Sequence, residues 1–256
     1  MVQTSDTGAE RARTAATEEI ELLVRDGSET ILAALLENAS LNETHVCMLL
    51  ERKDLSAALL ERIAATKEWQ CSSNRVRCAV VAHPRAPRRV ALKAARELHV
   101  GDLLAISLRP SAPAEVRKFV DELLLARIAQ LPLGQKLVLA RRGSGRVAAA
   151  LLCEGHLRVA GTALDNGHLT EAHVLRVLSN ADLPEVAVAA IAGHAKWSAM
   201  PNVRIAVAVH PHAAFGQVLR LLHGFTRHEL DRLCLVTNLR PEVRSAVCDE
   251  LETRGS

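Results

Sequence analysis

The chain carries an internal duplication, and this feature constrains its fold more than any other. When the 256-residue sequence is shifted against itself by about 128 residues, residues 35–46 match residues 163–174. The match continues towards the carboxyl end and aligns Trp69 with Trp197. One structural plan therefore occurs twice, and each copy is long enough to hold several helices or strands.

The duplication divides the chain into a leading segment and two halves. Residues 1–18 are polar and we expect them to be frayed, whereas residues 19–150 form the first half and residues 151–256 the second. Each half also contains shorter units, because the pattern P-x-A-P-x-x-V recurs at 84–90 and 110–116. Units of this size cannot bury an apolar face alone, so they gain a core only by stacking on their neighbours.

The apolar residues within the units follow the period of an α-helix. Between residues 116 and 131 they recur at spacings of three and four, as one buried helical face requires. Asn42 and Thr170 occupy equivalent positions and are both good N-cap residues. The branched segments 76–81 and 203–209 could also form strands, but the His-Pro pair that ends each of them favours short buried helices. We therefore predict an all-α fold.

One longer pattern resembles a known family. The arrangement V-R-x-A-V-x-x-H-P-x-x-P-x-x-V at 76–90, repeated more loosely at 203–218, resembles the leucine-rich repeat variant family of α-solenoids, which is close in architecture to HEAT repeats. The resemblance covers roughly residues 30–250 and implies a right-handed superhelix of short paired helices with a concave surface. It implies no catalytic residues. Some members carry an N-terminal cysteine cluster for an iron–sulfur centre, but here no cysteine precedes Cys47, so we expect no cofactor.

The motifs that could support catalysis are incomplete or are explained by the duplication. His210-Pro211-His212 has the spacing of metal ligands, but the first copy reads His83-Pro84-Arg85, so we interpret the shared histidine as a helix-terminal residue. His228-Glu229 begins like a zinc-protease motif, yet Arg232 stands where the second histidine is needed. The G-x-G-x-x-A pattern at 143–148 is interpreted as a loop between helices rather than a nucleotide-binding turn. We expect no enzyme activity and no metal.

The six cysteines form no C-x-x-C pair. At an offset of about 128 residues, the partners of Cys47, Cys71, Cys78, Cys234 and Cys248 are Leu175, Ala199, Ile205, Ile106 and Val120. Since all five partners are apolar, we interpret these cysteines as small core residues. Trp69 and Trp197 are likewise predicted to fill the core.

Positive charge is concentrated in the middle of the chain. Residues 71–160 carry 16 Lys and Arg against 6 Asp and Glu, whereas residues 1–70 carry 7 against 13. The candidate partner-binding residues in this basic region are Arg85, Arg88, Arg89, Lys93, Arg96, Arg141, Arg142 and Arg146. We expect the stacked units to align them along the concave face, where they would attract an acidic segment of a protein or, alternatively, the backbone of a nucleic-acid duplex. Aromatic residues for stacking on single-stranded bases are nearly absent.

These observations predict a non-catalytic interaction module, or scaffold, that binds a protein partner through its groove. No apolar run is long enough to cross a bilayer, and residues 1–17 lack the apolar stretch of a signal peptide. We therefore expect a cytoplasmic protein without membrane contact, and no small-molecule substrate is evident.

Overall fold

The computed structural model describes residues 3–66, 73–237 and 239–255. Helices make up 71% of the chain, and the described residues contain no strand. The all-α prediction is therefore confirmed. The two segments that could have formed strands are the α-helices Asn74–Ala82 and Pro201–Val209, each ending at the expected histidine.

The chain folds into two compact units, Met1–Leu124 and Leu125–Ser256, called unit 1 and unit 2. The helices that begin in unit 1 are α1 (Gln3–Thr14), α2 (Thr17–Asp26), α3 (Glu29–Leu35), α4 (Glu43–Glu51), α5 (Ala57–Ala65), α6 (Asn74–Ala82), α7 (Arg88–Arg96), α8 (Val100–Ser107) and α9 (Ala114–Arg127). After a 3-10 turn at Ile128–Gln130, the helices of unit 2 are α10 (Leu133–Arg142), α11 (Gly145–Leu152), α12 (Leu157–Leu164), α13 (Glu171–Leu178), α14 (Glu185–Gly193), α15 (Ala195–Ser198), α16 (Pro201–Val209), α17 (Phe215–Leu222), α18 (Arg227–Cys234) and α19 (Pro241–Gly255).

Each helix that begins in the described part of unit 1 has a counterpart in unit 2. Helices α1 to α9 match, in order, α10 to α14 and α16 to α19, and the short helix α15 follows α14. The boundary between the units differs from the one expected after residue 150, because that position lies inside α11. Helix α11 packs against α12 and α13 of its own unit, so a division there would separate residues of one packed helix.

The leading segment also differs from expectation. Residues 3–14 are the helix α1, which packs on α3, and Ala12 is completely buried. The side-chain amide of Asn38 donates to the carbonyl of Ala12 at 2.8 Å and to that of Ala15 at 3.0 Å. The polar composition of residues 1–18 did not predict this helix, because only a few small residues make its apolar contacts.

Within each unit the helices pack on their next-but-one neighbours. In unit 1, α1, α3, α5 and α7 form one row, whereas α2, α4, α6 and α8 form a second row. In unit 2 the rows are α10, α12, α14, α17 and α19, and α11, α13, α16 and α18. The buried Leu, Val, Ile and Ala side chains of the alternating helices make up the core. Short helices of this kind are stable mainly through such packing.

The predicted N-caps are confirmed, and a histidine assists each of them. The side chain of Asn42 accepts from the backbone N–H of His45 at 3.0 Å, and the His45 ring accepts from the Asn42 N–H at 3.3 Å. Thr170 and His173 make the same reciprocal contacts at the start of α13. This arrangement is a capping box in which histidine takes the place of the usual Glu or Gln.

Candidate partner-binding surface

Five of the eight candidate residues lie on or directly before α7. Arg88, Arg89, Lys93 and Arg96 are exposed on this helix, and Arg85 is exposed in the turn that precedes it. The opposite face of α7 is buried at Ala91 and Ala95. The alternation of small apolar and long basic residues makes α7 strongly amphipathic. We call these five basic residues the α7 surface.

Neighbouring helices place acidic residues beside the α7 surface. Arg88 Nε lies 3.6 Å from Glu115 Oε2, and Arg89 Nη2 lies 3.4 Å from Glu61 Oε1. Residues 75–96 contain no Asp or Glu in the sequence, but acidic residues of other helices lie beside them in the folded chain. The Arg88 and Arg89 side chains remain 74% and 86% exposed, and ion pairs at this exposure contribute only about 0–1 kcal/mol. A partner could exchange them for its own carboxylates at little cost.

Arg85 and Arg96 make further contacts. The Arg85 guanidinium donates to the backbone carbonyl of Asp54 at 2.9 Å. The carboxylate of Asp54 accepts two hydrogen bonds from Arg52, at 2.7 and 3.0 Å, and these bonds together with the charge of Arg85 lower the pKa of Asp54 to about 2. The Arg96 guanidinium lies 5.7 Å from the ring centroid of Phe119, within cation–π range.

A pocket of about 320 Å³ adjoins the α7 surface, between α5, α6 and α7. Its apolar lining consists of Ile63, Ala64, Ala65, Val76, Val80, Val90 and Ala94. Its charged residues are Glu61, Arg77, Arg89, Lys93 and Glu97. In the sequence, the lining residues precede and follow residues 67–72, which are outside the described residues. The sequence did not predict this pocket.

Helix α7 has smaller apolar side chains than its counterpart in unit 2. The equivalent helix of unit 2, α17, has Leu221 where α7 has Ala94. It also has the buried residues Val218 and Leu222 at the positions of Ala91 and Ala95. Helix α7 thus presents less apolar volume to its neighbours than α17 does. The helix bounds in the structure align α7 with α17 residue by residue and so make this difference visible.

The remaining three candidates belong to unit 2. Arg141 and Arg142 are exposed in the last turn of α10, and Arg146 is exposed in the first turn of α11. They lie in a different unit from the α7 surface. A single track through all eight basic residues therefore stays a prediction.

The histidines of the H-x-H pattern are hydrogen-bonded to backbone. His210 Nε2 lies 3.0 Å from the carbonyl of Asn180, and its Nδ1 accepts from the N–H of His212. His83 makes the equivalent contacts, at 2.7 Å with the carbonyl of Arg52 and at 3.1 Å with the N–H of Arg85. Each shared histidine thus joins the end of one helix to the end of another about 30 residues earlier.

The G-x-G-x-x-A pattern connects two helices, as predicted. Gly143 follows the last residue of α10, and the Ser144 hydroxyl caps α11 by accepting from the N–H of Val147 at 3.3 Å. The element before it is a helix, so the strand of a dinucleotide-binding turn is missing. Gly145 packs closely against the backbone carbonyl of His168 and the ring of His173, and an added Cβ would clash with that carbonyl and lie 2.6 Å from His173 Cε1.

Four cysteines are poorer nucleophiles than a free thiol. Burial is the main cause that raises the pKa of the thiols of Cys47, Cys78, Cys153 and Cys234, in Cys78 to about 12 with a further contribution from Asp102. A raised pKa lowers the fraction of thiolate, which is the form that attacks. Cys71 lies outside the described residues. No group of three His, Cys, Asp or Glu side chains that could hold a metal ion occurs in the described part of the chain.

Trp197 is a core residue, as predicted. Its side chain is completely buried and its Nε1 donates to the carbonyl of Leu164 at 2.9 Å. Lys196 covers the ring, with Nζ 4.0 Å from the centroid. The corresponding prediction for Trp69 concerns a residue outside the described ranges.

Comparison of the chain with protein-family models, with curated proteins and with solved structures finds no match. Within the described ranges, no helix combines the length and the apolar character needed to span a membrane. The function is therefore inferred from the packing of the helices and from the geometry of the α7 surface.

Proposed function

We propose that the protein is a non-catalytic helical-repeat module that binds a protein partner. The proposal includes a duplicated, right-handed α-solenoid of the leucine-rich repeat variant or HEAT-like type. The two rows of short helices in each unit, with contacts between next-but-one neighbours, support a stacked architecture. The hydrogen bonds that His83, His210, Asn38 and Asn166 make to backbone some 23–31 residues earlier are the contacts expected between successive repeats.

The pocket beside the α7 surface carries the proposal. It combines an apolar lining with the positive charges of Arg89 and Lys93 at its edge. This combination suits an acidic segment of a protein that inserts one apolar side chain between α5 and α7. Burial of such a side chain contributes about 1.5–3 kcal/mol, and the exposed basic residues attract the flanking carboxylates.

The alternative partner is a nucleic-acid duplex, and the pocket weighs against it. An apolar pocket contributes nothing to binding a phosphate backbone, whose affinity comes from neutralised charge. The carboxylates of Glu61, Glu97 and Glu115, which lie within ion-pair distance of arginines on or near the α7 surface, would repel phosphate groups and acidic side chains alike.

The experiment uses variants of the full chain to test which surface binds. The wild-type protein is immobilised, and proteins retained from a native lysate are identified and quantified by mass spectrometry. Ala94→Leu adds three carbon atoms to the pocket, and the double variant Arg89→Glu with Lys93→Glu reverses the charge at its edge. We expect either change to weaken binding of the partner by about 10-fold or more. Arg158→Glu, an exposed charge reversal on α12, is the matched control.

Several outcomes would contradict the proposal. If the partner binds the pocket and charge variants as strongly as it binds the wild type, this surface is not the site. If instead a short DNA duplex binds at low salt, and Arg85→Ala, Arg88→Ala and Arg89→Ala together reduce the dependence of its affinity on salt, the duplex alternative is correct. Circular dichroism of each variant separates loss of binding from loss of folding.

A further inference from the structure

The alignment of the helices corrects the positions that match two cysteines. Helix α18 is the counterpart of α8, and α19 is the counterpart of α9. The offset between these counterparts is one residue smaller than the offset that aligns the first helices of the two units. Cys234 is the last residue of α18 and therefore matches Ser107, the last residue of α8. By the same offset, Cys248 in α19 matches Asp121 in α9. The earlier assignment of apolar partners to these two cysteines was wrong.

In unit 1 these two positions are in direct contact. The Ser107 hydroxyl donates to Asp121 Oδ1 at 2.5 Å, and both residues are buried. The buried apolar residues on either side also correspond, since Leu103 and Val120 match the equally buried Leu230 and Val247. This hydrogen bond holds the end of α8 next to α9.

In unit 2 the same two positions hold thiols. Helices α18 and α19 pack against each other, and Cys248 is one of the groups that raise the pKa of the Cys234 thiol, as expected for two neighbouring side chains. Cys248 is exposed and Cys234 is half-buried, so the pair is accessible from solvent. Arg244, one turn before Cys248 on α19, donates to the backbone carbonyl of Cys234 at 3.4 Å and places a positive charge beside the pair.

We propose that Cys234 and Cys248 are a redox-active dithiol that forms an internal disulfide joining the end of α18 to α19. The oxidant is a low-molecular-weight disulfide. The Cys248 thiolate attacks one sulfur of the oxidant, which forms a mixed disulfide and releases one small thiol. The Cys234 thiolate then attacks the Cys248 sulfur, which forms the internal disulfide and releases the second small thiol. Two protein thiols are oxidised and one small disulfide is reduced to two thiols.

The order of the two steps follows from the surroundings of each sulfur. Burial is the main cause that raises the pKa of Cys234, and Cys248 and Asp231 add to it, whereas Arg244 lowers it. Cys234 is therefore the poorer first nucleophile in solution. It reacts second, when the Cys248 sulfur is already held next to it. The loop closed by the disulfide contains about 15 residues, which limits the flexibility of the unfolded chain around α19.

The test uses the full-length protein, reduced and then equilibrated with mixtures of reduced and oxidised glutathione. Peptide mapping without reduction should recover one cross-link between the peptides of Cys234 and Cys248. Oxidation should also raise the melting temperature by about 6–12 °C. In Cys234→Ser, Cys248 should stop at the mixed disulfide with glutathione. Cys153, which is exposed but has no thiol partner among the described residues, serves as the matched control and should form only a mixed disulfide.

A variant built from the first unit separates redox chemistry from folding. Cys234→Ser combined with Cys248→Asp gives unit 2 the same serine and aspartate that form the hydrogen bond between Ser107 and Asp121 in unit 1. We expect it to fold and to show no change in melting temperature on addition of oxidised glutathione. The proposal is overturned if the wild-type protein takes up glutathione at Cys153 but forms no cross-link between Cys234 and Cys248. It is also overturned if the cross-link appears only in denaturant.

Discussion

The side-chain amide of Asn166 connects three backbone groups, and its removal is the most informative single change. Its Nδ2 donates to the carbonyls of Ala140 at 2.8 Å and of Gly143 at 3.0 Å, and its Oδ1 accepts from the N–H of His168 at 2.7 Å. The residue is buried, with 2% of its surface exposed. Water therefore cannot easily replace the amide in Asn166→Ala.

The expected loss follows from these three hydrogen bonds. Each contributes about 0.5–1.5 kcal/mol, and a buried group left without a partner costs more. Asn166→Ala should therefore lower the free energy of unfolding by about 3–5 kcal/mol. Asn38→Ala removes the equivalent contacts with Ala12, Ala15 and Ser40 and should lower it by a similar amount.

The assay is equilibrium unfolding in urea followed by circular dichroism at a helical wavelength. Asn180→Ala is the control, because the exposed Asn180 side chain makes one hydrogen bond, to the N–H of Asp182 at 3.2 Å. It should cost less than about 1 kcal/mol. If Asn166→Ala costs no more than Asn180→Ala, the inference that this amide holds successive repeats together is refuted.

Three further predictions concern unit 2. Burial by itself raises the pKa of Glu229, but the N–H of Thr226 and the Arg204 guanidinium, 2.6 Å away, outweigh it, so the pKa lies below its ordinary value of 4.5. The ionised carboxylate therefore stabilises the fold above pH 4.5, and this stabilisation is lost as the pH falls and the carboxylate is protonated. Between about pH 5 and 3, Glu229→Gln should consequently lose less free energy of unfolding than the wild type, as measured by urea unfolding. Gly145→Ala should lower stability by about 2 kcal/mol or more, because the added Cβ meets the backbone carbonyl of His168 and the ring of His173. Gly161→Ala, with no neighbour within 4 Å, should instead raise stability by about 0.5–1 kcal/mol, and thermal unfolding measures both changes. Trp197→Phe leaves the buried carbonyl of Leu164 without its donor and should cost about 1–3 kcal/mol in the same assay.

The sequence alone determined the duplication, the helical class and the first residue of several helices. These features depend on residues within one or two turns of each other, as the N-caps at Asn42 and Thr170 illustrate. The role of His83 and His210 at helix ends was also accessible, because comparison of the two copies removed the metal-site interpretation.

Only the tertiary structure decided which residues of different helices are neighbours. The carboxylates beside Arg88 and Arg89 come from helices distant in sequence, and the pocket next to α7 depends on Ala94 facing helices α5 and α6. The pairing of Cys234 with Cys248 likewise required the alignment of α18 and α19 with α8 and α9, since a shift of one residue moves a side chain to another face of its helix. Packing between helices determines these contacts, and the apolar periodicity of a single helix does not predict them.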